Sequence, residues 1–447
     1  MNIDSSLSGI VLVFTVLLFF ALLGRLLARR FGLAVSTGEL CLGLLVGNLG
    51  YLFNIDQVTI LREGAKLFET LQYALYGETL KSAVTFTFGA AQEEKILTII
   101  TGEHGIDYLK LSQAADAFFQ FGILFLIFEM GLRHQITQLK NTPLYIYGLL
   151  SLDLILAIVA TSILVLIILP NVGLLEILFV AIALTSSNAL LSAGIMRRHS
   201  ALDREANSLL AMTKIDNLIL LILLMLMTSV MVDPLVEASG ALLKFVVAMM
   251  FMIVAWVVGH YGLSGLVKYL RWFELLEVKF FVALMLAMLF SVSAYLIGLS
   301  PLIGVFMAGI VLHDVYFHPW KAQPLLDFRV LCAPLEIIVA PLLFFLIGFQ
   351  VKMEVMLDTQ AVVLSILLLL AAMANKVLGA YATPRGHHRL IMAASLWPRG
   401  EVALIVVALG KALNVLDDTL FFALVMMIVV SNLVTPPMLR RLARLAV

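Results

Sequence analysis

Long apolar runs alternate with short polar stretches from one end of the chain to the other. Each run approaches the roughly 20 residues that a helix needs to cross about 30 Å of hydrocarbon. About thirteen such spans are expected, near 6–29, 33–53, 115–134, 143–169, 174–197, 205–231, 236–260, 278–298, 300–313, 333–351, 360–382, 387–410 and 416–438. The second and ninth are short or rich in glycine. A membrane barrel would instead show alternation in segments of about 10 residues. The pattern predicts an all-α polytopic membrane protein, with residues 1–447 forming one membrane domain.

Two spans interrupt their own pattern. The fifth carries Thr185, Ser186, Ser187 and Asn188 together at mid-membrane depth, and the twelfth carries Pro398 and Gly400 inside a helical run. Proline removes a helix hydrogen bond and glycine loosens the backbone. Non-helical backbone survives in a membrane only where it is buried or lines a cavity. Matching interruptions in the two halves of a chain point to a transporter site built from an inverted repeat. The bland alternative for the fifth span is that its hydroxyls bond back to their own helix.

Residues 54–114 are too polar to span and too long for a simple loop. They read as an extracytoplasmic insertion with some amphipathic helix, for instance at 60–75. It is expected to cover a dimer interface, lie on the membrane surface or serve as a decoration.

Composition agrees with the pattern. The chain is 62% hydrophobic and 13% charged, against about 25% charged in soluble domains. Net charge is zero, so bulk charge suggests no nucleic-acid partner. Cys41 and Cys332 suggest neither a disulfide framework nor a metal site. Arg25, Arg29 and Arg30 follow the first run, which places the N-terminus outside. Thirteen spans then put the C-terminus in the cytoplasm, with Arg133, Lys140, Arg197, Arg198, Arg204, Lys268, Arg271, Lys321, Arg329, Arg385, Arg389 and Arg440 on the same side. The short outer loops hold few cations, as the positive-inside rule requires.

Charge inside the spans supplies the candidate chemistry. Asp216 sits near the middle of the sixth span, where a charge costs about 3 kcal/mol on insertion scales. A carboxylate is a hard oxygen ligand for a small cation, and it also binds a proton. A group that holds one or the other, but not both, is the minimum for exchange. The alternative is a structural ion pair with Lys376 in the eleventh span, and both readings can hold in turn. Thr185, Ser186 and nearby carbonyls are candidates to complete a cation's shell. Asn217 is either a neutral ligand or a helix–helix hydrogen bond. Lys214, two positions from Asp216, faces another way. Glu129, Asp153, Glu336 and Glu401 read as partners that fix helix positions, with Arg399 and Glu401 supporting the site and Glu336 pairing with Arg399 across the bundle. His260, His313, His387 and His388 show no metal-ligand spacing.

Six stretches together resemble the cation:proton antiporter superfamily, in particular its bacterial sodium/proton antiporter and glutathione-gated potassium-efflux branches. They are GELCLGLLVGNLG at 38–50, FGILFLIFEMGL at 121–132, ALTSSNALLSAGIMRR at 183–198, LIGLSPLIGVFMAGIVL at 296–312, APLLFFLIGFQVKM at 340–353 and PRGEVALIVVALG at 398–410. The resemblance implies an inverted-repeat antiporter fold with two crossed discontinuous helices, spans five and twelve. It implies a core, approximately 115–231 and 360–438, that moves like an elevator against a dimer-forming domain. It places the ion-binding aspartate at Asp216 and a coupling lysine at Lys376, 25 residues ahead of Glu401. The chain departs from the family where Asp216 is flanked by Ile215 and Asn217 instead of an adjacent Asp, Asn or Gln partner.

The function expected is exchange of a monovalent cation, Na⁺ first, for H⁺ across a bacterial plasma membrane by a homodimer embedded in lipid, with no cofactor beyond the transported ions. The alternatives are a potassium/proton antiporter or K⁺ efflux system, and a non-transporting sensor or scaffold of the same fold. An enzyme is not expected, since no nucleophile–base pair, HExxH or phosphate loop is present.

Overall fold

The structure is a computed structural model. It describes residues 3–64, 66–134, 144–198, 202–232, 238–270, 276–312, 328–381 and 388–446. His313, His387, Lys140, Arg271, Lys321 and Arg385 lie outside the described residues. The described residues form helices α1 (Ile3–Phe31), α2 (Val35–Leu52), α3 (Asp56–Glu63), α4 (Lys66–Leu75), α5 (Leu80–Phe88), α6 (Ala90–Thr101), α7 (Gly105–Arg133), α8 (Leu144–Ile168), α9 (Leu174–Thr185), α10 (Ala189–Met196), α11 (Asp203–Val230), α12 (Ala238–Leu270), α13 (Leu276–Leu296), α14 (Pro301–Val311), α15 (Phe328–Phe349), α16 (Thr359–Tyr381), α17 (Arg389–Ser395), α18 (Glu401–Ala412) and α19 (Asp418–Ala446).

Among the described residues eleven helical stretches are long and apolar enough to cross a membrane, and each matches an expected span. The remaining two expected spans are α14 and the pair α17–α18. Helix α14 has 11 residues, about 16 Å at 1.5 Å per residue. It starts sharply because Pro301 occupies its first turn and the Ser300 hydroxyl accepts from the Leu302 N–H at 3.4 Å. The third span begins earlier than the apolar run suggests. Helix α7 is continuous from Gly105, so residues 105–114 belong to it.

Glycine seams explain how tightly the helices pack. A Cβ on Gly43 of α2 would lie 2.0 Å from the Phe345 carbonyl of α15, and one on Gly348 would lie 2.0 Å from the Leu40 carbonyl. The two backbones therefore touch along this line, as small residues permit in membranes. Elsewhere apolar side chains face outward, such as Leu242, Val246, Met250 and Ile253 on α12 and Phe281, Met288 and Val292 on α13. Such faces are stable where the surrounding solvent is hydrocarbon.

Helices α3 to α6 fold over one end of the bundle. They bury a small cluster of their own, Ile60, Leu67, Val84, Ile96 and Ile99. Ion pairs tie them to the loops beneath. The Arg62 guanidinium pairs with Glu354 and donates to Asn48 Oδ1 at 3.0 Å. Lys352 reaches Glu63 at 2.8 Å and Asp418 at 3.2 Å, while Lys411 also pairs with Asp418. Burial alone would lower the Lys352 pKa, but the Glu63 and Asp418 carboxylates outweigh it and raise the ammonium above its ordinary 10.5. Burial alone would raise Glu354, but its hydrogen bond from Arg62 holds it below its ordinary 4.5.

Candidate functional site: a cavity at two crossed helix breaks

The sequence TSSN breaks the fifth span after Thr185. Ser186 is extended, and Asn188 starts the next half-helix by accepting from the Leu190 N–H with its own side chain at 3.1 Å. That is the capping preference of asparagine at work. In the twelfth span α17 ends at Ser395, Pro398 prevents its continuation, and α18 starts at Glu401. The two breaks meet. The Asn188 N–H donates to the Pro398 carbonyl at 2.7 Å. A Cβ on Gly400 would lie 3.0 Å from the Asn188 Cβ, so the crossing is close. The expectation of two crossed discontinuous helices is met.

Each break leaves the carbonyl end of a half-helix inside the protein, where it carries partial negative charge. Two buried cations answer this at α9. Lys376 Nζ donates to the Thr185 carbonyl at 2.6 Å, and Arg399 donates to the Ser186 carbonyl at 2.8 Å. Asn432 of α19 fixes the Arg399 backbone from both sides, accepting from its N–H at 2.7 Å and donating to its carbonyl at 3.0 Å. The other Arg399 guanidinium nitrogens, including Nε, are buried without a hydrogen-bond partner.

Asp216 is buried on α11 and opens on a cavity of about 20 Å³ that Asp153, Thr213 and Lys376 also line. That volume suits about one water-sized occupant. Among the described residues no hydrogen bond or ion pair reaches Asp216; Lys376, Asp153 and Arg399 are the charges that act on it. Lys376 is instead paired with Asp153 of α8 at 2.5 Å, both groups being deeply buried. The alternative of a structural pair between Lys376 and Asp216 is therefore not what this structure shows.

The remaining candidates separate into groups. The Thr185 hydroxyl donates to the Ala181 carbonyl of its own helix at 2.6 Å, so for this residue the bland alternative holds, and its carbonyl is the part that faces the charges. The Ser186 hydroxyl has no partner, and Asn217 Oδ1 is likewise buried and unsatisfied. Lys214 is exposed on another face of α11. Glu336 and Glu401 do not reach Arg399. Both pair with Arg133 of α7, at 2.6 Å and 3.1 Å, and Glu129 joins the same guanidinium from one turn earlier. The expected Glu336–Arg399 pair is therefore replaced. Gly400 lies in extended backbone between Arg399 and Glu401, and the helix begins at Glu401.

Two residues of this arrangement were misplaced by sequence reasoning. Asp153 reads as one more buried acid, although LSLDLIL carries a mid-span carboxylate as isolated as Asp216. Arg133 reads as a loop cation, although EMGLR places it four residues from Glu129, the spacing of a helical ion pair. Among the described residues no group of three His, Cys, Asp or Glu has the arrangement of a metal centre.

Comparison with known proteins fits this geometry. The high-affinity Na(+)/H(+) antiporter NhaS3 of Synechocystis is 21% identical over 445 residues, covering 97% of this chain and 90% of that protein. The Na(+)/H(+)-K(+) antiporter GerN of Bacillus cereus is 23% identical, over 77% of this chain and 87% of that one. The Na(+)/H(+) antiporter of Enterococcus hirae is 22% identical, over 82% and 95%. Among solved structures, the sodium proton antiporter MjNhaP1 of Methanocaldococcus jannaschii superposes with a TM-score of 0.60 over 98% of this chain and 99% of that one, at 13% identity. That likeness shows a shared fold. The family model described as sodium/hydrogen exchanger, transmembrane, matches residues 16–445, and the protein belongs to that family of multi-pass membrane proteins.

Proposed function

We propose that the protein exchanges a monovalent cation for protons, with Asp216 as the group that holds one or the other. The observation that carries this reading is a buried carboxylate with no partner among the described residues, opening on a cavity of about 20 Å³ beside two crossed helix breaks. Desolvation makes the bare carboxylate expensive, and either a proton or a hard cation relieves that cost. The Thr185 and Ser186 carbonyls, the Ser186 hydroxyl and Asn217 are the neutral oxygens available nearby. Lys376, Arg399 and the Arg133 group with Glu336 and Glu401 hold the surrounding helices in place. Na⁺ is the proposed substrate, because relatives named for Na(+)/H(+) antiport cover most of the chain. The name of GerN favours K⁺ as the second reading.

The Asn188–Pro398 bond makes the two breaks one mechanical unit, which suits an elevator-like movement of a core against a second, dimer-forming part. The distribution of Arg and Lys supports a cytoplasmic C-terminus, and the bacterial relatives support a plasma-membrane location. The test is cation-driven proton movement in liposomes containing the pure protein, with Na⁺, Li⁺ and K⁺ side by side. Asp216→Asn is expected to abolish it. Exchange that persists in that variant would remove Asp216 from the site, and silence of the wild type with every cation would favour a sensor or scaffold.

A further inference from the structure

Exchange at Asp216 gives the helical cap, α3 to α6, no task. The cap is fastened to its neighbours by two kinds of chemistry. Toward α2 and α7 it is fixed by burial. Its apolar cluster takes in Tyr108 and Leu109 of α7, and Leu61 of α3 packs into the main apolar core. Tyr51 of α2 lies under both the Arg62 guanidinium, at 4.3 Å, and the Lys95 ammonium, at 3.9 Å. Toward the second broken span the joints are polar. The Asn414 side chain, in the turn between α18 and α19, donates to Glu69 of α4. Lys66 of α4 reaches Asp418 at 3.5 Å, and Asp418 also holds Lys411 of α18. Lys352, in the link between α15 and α16, bonds Glu63 of α3 and Asp418 of α19 at once.

This polar joint sits on the half-helix that leaves the site. Helix α18 runs from Glu401, next to Gly400 at the crossing, to Ala412, about 18 Å further on at 1.5 Å per residue. Lys66 and Asp418 are each 29% exposed. Ion pairs open to water are weak. A body that moves against the cap can break such pairs at small cost, whereas a buried apolar seam would arrest it.

We propose that Lys66 and Glu69 of α4 form a latch. It fastens the end of α18 and the start of α19 to the cap in the state of this structure, and it lets go when the core moves. The proposal rests on the exchange reading and its moving core. The cap stays with α2 and α7. The bonds of Glu69 to Asn414, and of Lys66 and Lys352 to Asp418, break and reform once in each cycle. Lys411 stays with Asp418 throughout, since both belong to the moving part. The latch sets how long the core remains in this position and leaves the ions bound and their ratio unaltered.

A cross-link across the joint tests this. In a Cys41→Ala/Cys332→Ala background, Glu69→Cys and Asn414→Cys are joined by a short bismaleimide in the full-length protein in liposomes. Cation-driven proton movement is expected to fall by roughly tenfold or more in the joined protein, because the conformational step is blocked. Either single cysteine variant treated in the same way is expected to keep it. Exchange that persists in the joined protein overturns the latch, and so does a pair that fails to join. A wild type with no exchange removes the exchange reading instead. The double variant Lys66→Met/Glu69→Gln cuts the joint without a tether. Its exchange rate is expected to rise about two- to tenfold, as two weak pairs are lost, at an unchanged proton-to-cation ratio. A rate at or below that of the wild type, with the melting temperature kept, overturns the proposal. Lys95→Met weakens the cap's hold on α2, which does not part during the cycle, so its rate is expected to stay within about twofold of the wild type. A rise equal to that of the double variant would overturn the latch in favour of a general loosening of the cap.

Discussion

The cavity at Asp216 and the capped end under α3 to α6 are both built from charged groups held in a largely apolar protein, yet they treat those charges in opposite ways. At the capped end Arg62, Glu63, Lys352, Glu354, Lys411 and Asp418 each have a partner of opposite sign. At the cavity, among the described residues, Asp216 has none, Asp153 uses one oxygen of two, and the Arg399 guanidinium is only partly bonded. A network in which every charge meets one of opposite sign serves to hold elements together, even though Arg62 Nε is buried there without a hydrogen bond. A half-satisfied one is poised to accept something. The contrast separates charges that hold elements together from those proposed to exchange.

The largest expected effect lies at the cavity. Asp216→Asn should lower cation-driven proton movement at least 100-fold, while a thermal unfolding curve in detergent stays near the wild-type midpoint, because among the described residues Asp216 makes no hydrogen bond or ion pair that the substitution would break. A large fall in stability would mean that Asp216 is paired after all. Next comes Gly348→Leu. Its side chain would strike the Leu40 carbonyl, and overpacking costs about 1–3 kcal/mol or more. The yield of folded protein is expected to drop several-fold, as measured by size-exclusion of the detergent-solubilised protein.

At the capped end, Arg62→Met should act through stability. It removes charge-assisted hydrogen bonds to Glu354 and Asn48, worth about 1.5–3 kcal/mol each before relaxation. The melting temperature should fall by several degrees with the proton-to-cation ratio unchanged. If the ratio changes instead, the two regions are coupled and the contrast fails. The smallest effect concerns pH. Glu354 sits below its ordinary 4.5 in the folded protein, so its contribution is present above 4.5 and is lost as pH falls through the lower folded value. Lys352 sits above its ordinary 10.5, so its contribution is intact below 10.5 and is lost as pH rises through the higher folded value. Melting temperatures measured from pH 3 to pH 11 should fall away at both ends, and Glu354→Gln should flatten the acid limb alone.

Much of the fold was legible because hydrophobic run length and breaking residues are local signals. The apolar runs locate the spans, and TSSN with Pro398 and Gly400 locate the two breaks. Partner identities were not legible in the same way. Lys376 and Asp153 lie 223 residues apart, and Arg133 and Glu401 lie 268 apart. Which carboxylate each cation meets is decided by how helices are rotated and stacked. Arg399 and Glu401 illustrate this. They are two residues apart in sequence, yet one answers a half-helix carbonyl and the other joins Arg133. The continuation of α7 back to Gly105 was hidden for a different reason, since the polar residues of 105–114 carry no apolar signal even though the backbone stays helical.

The bond from the Asn188 N–H to the Pro398 carbonyl also sets a clock on biogenesis. The donor strand of this contact is made ~210 residues before its acceptor, an interval on the order of 10 to 40 s at roughly 5–20 residues per second. Throughout that interval the first broken span sits in the bilayer with an amide that its eventual partner has not yet arrived to satisfy. During synthesis the nascent chain must shelter that amide among water, lipid headgroups or the insertion machinery until the second broken span arrives.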